Sequence, residues 1–198
     1  GIDLDNLLYA PIETLKGELS DDEKIAKICL YTERTELETM EIHAAEHCNL
    51  NCKNCSMFCG LVETCDFPCY QEFEEGIKQL KNFFPHIKKF RIIGGEPLLN
   101  PELDKYIRLI RNVYPYTDIR LISNGILVTK MSDQLIQTII DNDVTFIVTQ
   151  YISLKHSIDE INRFLSKTGI RYIVTEAVLE FQKIYNALGD SDIDENFY

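Results

Sequence analysis

The chain has 198 residues, 45% hydrophobic and 26% charged, with 20 Lys and Arg against 32 Asp and Glu for a net charge of −12. That is the composition of a globular domain with a core of its own. The acidity argues against a nucleic-acid partner, and no apolar run approaches the length of about 20 residues that spans a bilayer.

The charge is uneven. Residues 1–75 hold 17 acids and 5 bases, whereas residues 76–189 hold 11 acids and 15 bases. Lys78, Lys81, Lys88, Lys89 and Arg91 cluster weakly and read as solvated faces. The N-terminus has no basic stretch followed by an apolar one, which predicts a cytoplasmic protein. The chain opens on Gly1 rather than Met, which suggests a piece of a longer protein.

In chain order, Gly1–Leu19 is an acidic, weakly patterned arm. Ser20-Asp21-Asp22-Glu23 is a capping box, and Ile25, Ile28 and Cys29 follow at helical spacing, with Cys29 read as a small buried residue. Thr39–Ala45 alternates as a strand, with Met40, Ile42 and Ala44 on one face. A cysteine-rich loop comes next. Phe73, Ile77, Leu80 and Phe84 then form a helix stripe. Phe90–Ile93 is a strand ending in Gly94-Gly95-Glu96-Pro97. Asn100-Pro101 supplies an N-cap and a first-turn proline for a helix bearing Leu103, Ile107, Ile110 and Val113.

Ile119–Ile122 is the third strand, closed by Ser123-Asn124-Gly125. Leu135, Ile136, Ile139 and Ile140 mark the next helix, and Val144–Thr149 the fourth strand. Ser157 caps a helix with Ile161 and Phe164, and Ile170–Val174 is the fifth strand. Residues 178–198, with Asp190, Asp192, Asp194 and Glu195, read as an acidic linker leading off the domain. Strands alternating with helices mean βαβ units and a parallel sheet. In such folds chemistry gathers at the C-terminal ends of strands, where every suggestive motif here lies.

Six of the seven cysteines (Cys48, Cys52, Cys55, Cys59, Cys65 and Cys69) fall within 22 residues. Without a secretory leader this density argues for metal rather than disulfides. Cys48, Cys52 and Cys55 have the spacing CxxxCxxC. Three thiolates suit an iron–sulfur cluster with one iron left open. The competing reading is structural zinc, with Cys59, Cys65, Cys69 or His47 as the fourth ligand.

Cys48-Asn-Leu-Asn-Cys52-Lys-Asn-Cys55 after a first strand, GGEP 39 residues further on after the second, and SNG after the third together resemble the radical S-adenosylmethionine (SAM) superfamily. The resemblance covers residues 38–177. It implies a partial (βα)6 TIM-like barrel, here cut to about five parallel strands, between an N-terminal arm and helix at 1–37 and the linker at 178–198.

It further implies that Cys48, Cys52 and Cys55 hold a 4Fe–4S cluster, with SAM on the fourth iron. Gly94 and Gly95 would admit the methionine end of SAM, and Glu96 would accept from its amino group. Ser123 and Asn124 would contact carboxylate or ribose, Thr149 and Gln150 the ribose, and Val174 or a neighbour on the fifth strand the adenine. One departure is Asn54, where relatives often carry an aromatic residue; Phe58 is the nearest substitute.

Cys59, Cys65 and Cys69 read as ordinary loop thiols, with an auxiliary iron–sulfur or zinc role as the alternatives, and His43 as a core or surface histidine, with an acid–base role as its alternative. The implied activity is reductive SAM cleavage to a 5′-deoxyadenosyl radical that takes hydrogen from a peptide or small metabolite. Electrons would come from a flavodoxin or ferredoxin. A glycyl-radical activating enzyme is the alternative within the family; an iron–sulfur electron carrier or sensor, or a zinc-stabilised binding module, are alternatives outside it.

Overall fold

The computed structural model describes residues 36–52, 54–62, 64, 66–150 and 158–175. The expected arm, the capping box and Cys29, Cys65, the Ser157 cap and the acidic tail lie outside them.

Among the described residues, five strands, β1 (Glu36–His43), β2 (His86–Ile93), β3 (Asp118–Ser123), β4 (Val144–Val148) and β5 (Tyr172–Val174), form one parallel sheet in sequential order. Four helices connect them: α1 (Tyr70–Phe83), α2 (Leu103–Val113), α3 (Asp133–Asp141) and α4 (Ile158–Thr168). Sequential order with right-handed crossovers puts every helix on the same side of the sheet, the half-barrel arrangement rather than the doubly wound one.

The core confirms the sidedness. Ile42, Phe90, Ile92, Ile119, Leu121, Val144, Phe146 and Val148 pack with Ile77 of α1, Ile107 and Ile110 of α2, Ile139 of α3, and Ile161 and Leu165 of α4. Alternate strand residues build this layer, since successive side chains point to opposite faces. Phe90 and Phe146 are fully buried, each contributing about 1.5–3 kcal/mol.

The five expected strands and the helices between them appear, with shifted ends. β1 and β2 reach back to Glu36 and His86, because Leu37 and Ile87 pair before the more regular apolar pattern begins. One local reading is corrected. Asn100 does not cap α2, whose N-cap is Glu102. A short 3₁₀ turn at Pro97–Leu99 comes first, and the Asn100 side chain braces it: Oδ1 accepts from Glu102 N–H at 2.8 Å, while Nδ2 donates to the Ala44 carbonyl at 2.7 Å. A buried amide with two backbone partners satisfies both polar ends, which a simple cap would not.

The basic residues read as solvated do not form one patch. Lys78 pairs with Glu74 along α1, and Lys88 with Glu36 and Glu38 across the β1–β2 edge. Lys89 and Arg91, by strand parity, face away from the helices.

Candidate metal centre

The cysteine loop leaves β1 and is held at both ends. Past the last strand residues, Ala44 N–H donates to the Ile93 carbonyl (2.8 Å), Gly95 N–H to Ala45 (2.9 Å) and Glu96 N–H to His47 (3.0 Å). The segment before Cys48 thus lies flush against the end of β2. Glycine makes this possible. A Cβ on Gly95 would sit 1.8 Å from the His47 carbonyl oxygen, and one on Gly94, at φ +135°, would sit 2.4 Å from that of Ala45. In this structure the paired glycines therefore admit the backbone that carries Cys48.

The returning end is fixed by Glu46 N–H on the Asp66 carbonyl (3.2 Å), the His47 ring edge-on to Phe67, and the Tyr106 hydroxyl on the Pro68 carbonyl (2.5 Å). His47 is buried in this packing, which supplies a structural use for it.

Between these ends the chain turns tightly. Cys55 N–H donates to the Cys52 carbonyl at 3.2 Å and Phe58 N–H to Cys55 at 3.0 Å. Asn54 (φ 59°) and Phe58 (φ 52°) take left-handed backbone conformations. Asparagine is among the residues that tolerate that region.

Cys48, Cys52, Cys55, Cys59 and Cys69 are free thiols. Burial pushes the Cys48 thiol up, and the charges of Glu96 and Cys52 add to this against hydrogen bonds from Leu50 and Asn124. Burial and then Cys55 raise Cys52. Cys59 is buried against Cys55 and Cys48 and is pushed up to about 12, burial being the largest cause. Cys69 is exposed, its thiol on the Gln71 side chain at 3.1 Å. The three predicted ligands are thus electrostatic neighbours in one loop, with Cys59 alongside. Among the described residues no three His, Cys, Asp or Glu side chains already converge on one ion-sized point. Soft, unbridged thiols on a tightly turned loop fit an iron–sulfur group in donor chemistry, and such ligand sets close around metal as it binds.

Glu96 is fully buried and links two strand ends. Its Oε1 accepts from Ser123 Oγ (2.9 Å) and Leu98 N–H (3.1 Å), and its Oε2 from Asn124 N–H (2.9 Å). Burial raises its pKa and these three donors partly offset the rise. Ser123 Oγ in turn accepts from Gly125 N–H at 3.0 Å. The Asn124 side chain reaches the cysteine loop, with Nδ2 2.7 Å from Asn49 Oδ1 and 3.6 Å from Cys48 Sγ. Its Oδ1 accepts from Ile126 N–H at 3.0 Å.

Gly94, Gly95, Glu96, Ser123, Asn124 and Cys48 therefore form one connected assembly. Thr149 joins it through its N–H on the Ser123 carbonyl (2.8 Å), and Gln150 N–H reaches Thr175 Oγ1 at 3.4 Å. Val174 packs on the helix-facing core. His43 ends β1 exposed, opposite Ile93. The contacts of Asn49 and Asn100 were not foreseen, because neither residue type nor spacing distinguishes them from loop asparagines.

A family model described as the Radical SAM superfamily matches residues 42–189. The probable GTP 3′,8-cyclase of Methanococcus aeolicus is 32% identical over 151 residues, which is 75% of this chain and 50% of that protein. The chain thus spans about half the length of that curated relative.

Among solved structures, Streptococcus suis SuiB bound to its precursor peptide SuiA superposes with a TM-score of 0.57 at 16% identity, covering 84% of this chain and 38% of that one. AdoMet-bound anSMEcpe gives 0.52 at 17% identity, covering 71% and 42%. At these identities the likeness is one of fold.

Proposed function

The chain belongs to the Radical SAM superfamily, and on that premise we propose that residues 38–177 form the catalytic core of a radical SAM enzyme, with 1–37 preceding it and 178–198 leading from it. Members of the superfamily use a 4Fe–4S cluster and SAM, and need a reductant.

Cys48, Cys52 and Cys55 are assigned as the residues that would hold the cluster, with SAM bound beside it. When bound, the cluster and SAM would supply the reductive radical chemistry for hydrogen abstraction. The chain's part is placement. Gly94 and Gly95 set Cys48 beside the end of β2. Glu96 is the acceptor we assign to the SAM amino group, three of its about four acceptor positions being filled by Ser123, Leu98 and Asn124. Ser123, Asn124 and Thr149 line the adjoining strand ends, where carboxylate or ribose would lie. We place the protein in the cytoplasm, with a flavodoxin or ferredoxin as electron donor and a peptide or small metabolite as substrate. A glycyl-radical activating role is the alternative.

The observation that carries this reading is the continuous chain of contacts from Glu96 through Asn124 to Cys48, joining the GGE motif, the SNG motif and the first cysteine. Anaerobic reconstitution with iron and sulfide, followed by EPR of the reduced protein with and without SAM, tests it. A four-iron signal that SAM alters, and that Cys52→Ala abolishes, is expected. A cluster indifferent to SAM would instead support the electron-carrier reading, and zinc without iron the binding-module reading.

A further inference from the structure

The sheet face opposite the helices carries a pattern that the cluster site does not use. Strand register fixes which side chains share a row there. One row runs Glu41, Arg91, Arg120 and Thr145 across β1 to β4. Arg171, just before β5, joins it by donating from Nε to Thr145 Oγ1 at 2.9 Å. The row below sets Lys89 opposite Asp118. The row above holds His43 and Ile93, then Ile122, Ile147 and Ile173.

In a chain with 12 more acids than bases, four cations meet on this face. Arg91 and Arg120 stand directly opposite each other in paired strands, where like charges destabilise the sheet. Each arginine has one carboxylate: Glu41 for Arg91, Asp118 for Arg120, and Asp143 for Arg171. Asp118 engages Arg120 only through Nε, at 2.8 Å, and the terminal nitrogens of Arg120 have no protein acceptor among the described residues. A guanidinium brings five N–H donors in a planar fork that matches phosphate oxygens. The half-exposed arginine side chains are open to a ligand.

We propose that this arginine row anchors the phosphate end of a phosphorylated small-molecule substrate. Two residues of strand, about 6.6 Å, separate it from the isoleucine row under the strand ends. The carbon skeleton would lie on those isoleucines, with the reacting C–H end toward Gly94, Ser123 and Thr149. The inference rests on the radical SAM reading for the purpose of the site, but anion binding is measurable without turnover.

The test is calorimetric titration of the whole chain with inorganic pyrophosphate, and with an acidic peptide as competitor class. Wild type is expected to bind pyrophosphate and ignore the peptide. Arg91→Gln and Arg120→Gln should each weaken binding tenfold or more. Lys78→Gln, which removes one charge from the exposed face of α1, should not change it. Asp118→Asn should tighten binding several-fold by freeing Arg120, a gain that a loosened fold would not give. SAM-dependent EPR signals of the wild type report the parent reading separately, so their absence there would count against that reading and not against this one; all four variants should keep them. No pyrophosphate binding at millimolar concentration, equal binding by the arginine variants, or preference for the peptide would overturn the proposal.

Discussion

The strand-end platform and the cysteine loop it supports are built on opposite principles. Glu96, Ser123 and Asn124 are buried, each in at least two hydrogen bonds that cross between strands or turns. Cys52 and Cys55 are half-exposed, and the backbone around them turns tightly, with Cys55 N–H on the Cys52 carbonyl and Phe58 N–H on that of Cys55. The platform is complete in the protein by itself, whereas the loop becomes specific only through what its thiols bind. The same substitution should therefore cost folding in one region and cofactor in the other.

The largest effect is expected at Gly95. An alanine methyl has no room beside the His47 carbonyl, and the strand end must separate from the loop. Gly95→Ala should lose about 3 kcal/mol of stability in urea unfolding. A loss under about 0.5 kcal/mol, the size of an ordinary surface change, would mean the close approach is not required.

Glu96→Gln comes next, at about 1–3 kcal/mol, because the amide turns one acceptor into a donor facing Ser123, Leu98 or Asn124. It also has a pH signature. The folded carboxyl titrates above the unfolded one, so the folded state holds its proton longer. Wild-type stability should fall as pH rises from the unfolded value, about 4.3, through the folded one, and then level off. The Gln variant should lack that slope. Urea midpoints at several pH values separate the two curves, and parallel curves would refute the assignment.

Much of this was legible in the sequence, and the reason is locality. CxxxCxxC, GGEP and SNG each sit on a few consecutive residues at a strand end, and the alternation of period two and period 3.6 placed those ends. Helix stripes such as Ile107 with Ile110 were readable for the same reason. What was hidden depends on residues far apart in the chain. Asn100 looked like a cap because caps are local, yet its amide spans 56 residues to Ala44. Arg91 looked like part of a solvated lysine cluster until register set it against Arg120. The closeness of the Gly95 backbone to His47 likewise exists only once β1 and β2 are paired.

A smaller stability effect is expected at Ser123→Ala, about 1 kcal/mol, since Glu96 keeps its two backbone donors. Thermal unfolding checks it, and a loss as large as that of Gly95→Ala would make Ser123 the keystone instead. Cys52→Ala should be smallest, within about 0.5 kcal/mol of wild type in the metal-free protein, while iron content after reconstitution collapses. Unchanged iron content there would remove the distinction between loop and platform.

The central claim is that platform and loop together cleave SAM reductively. Reconstituted protein, dithionite and SAM, incubated without oxygen and read for 5′-deoxyadenosine by mass spectrometry, test it most directly. The account predicts that 5′-deoxyadenosine appears with wild type and disappears with Cys52→Ala. A cluster-loaded protein that binds SAM yet releases no 5′-deoxyadenosine would contradict it.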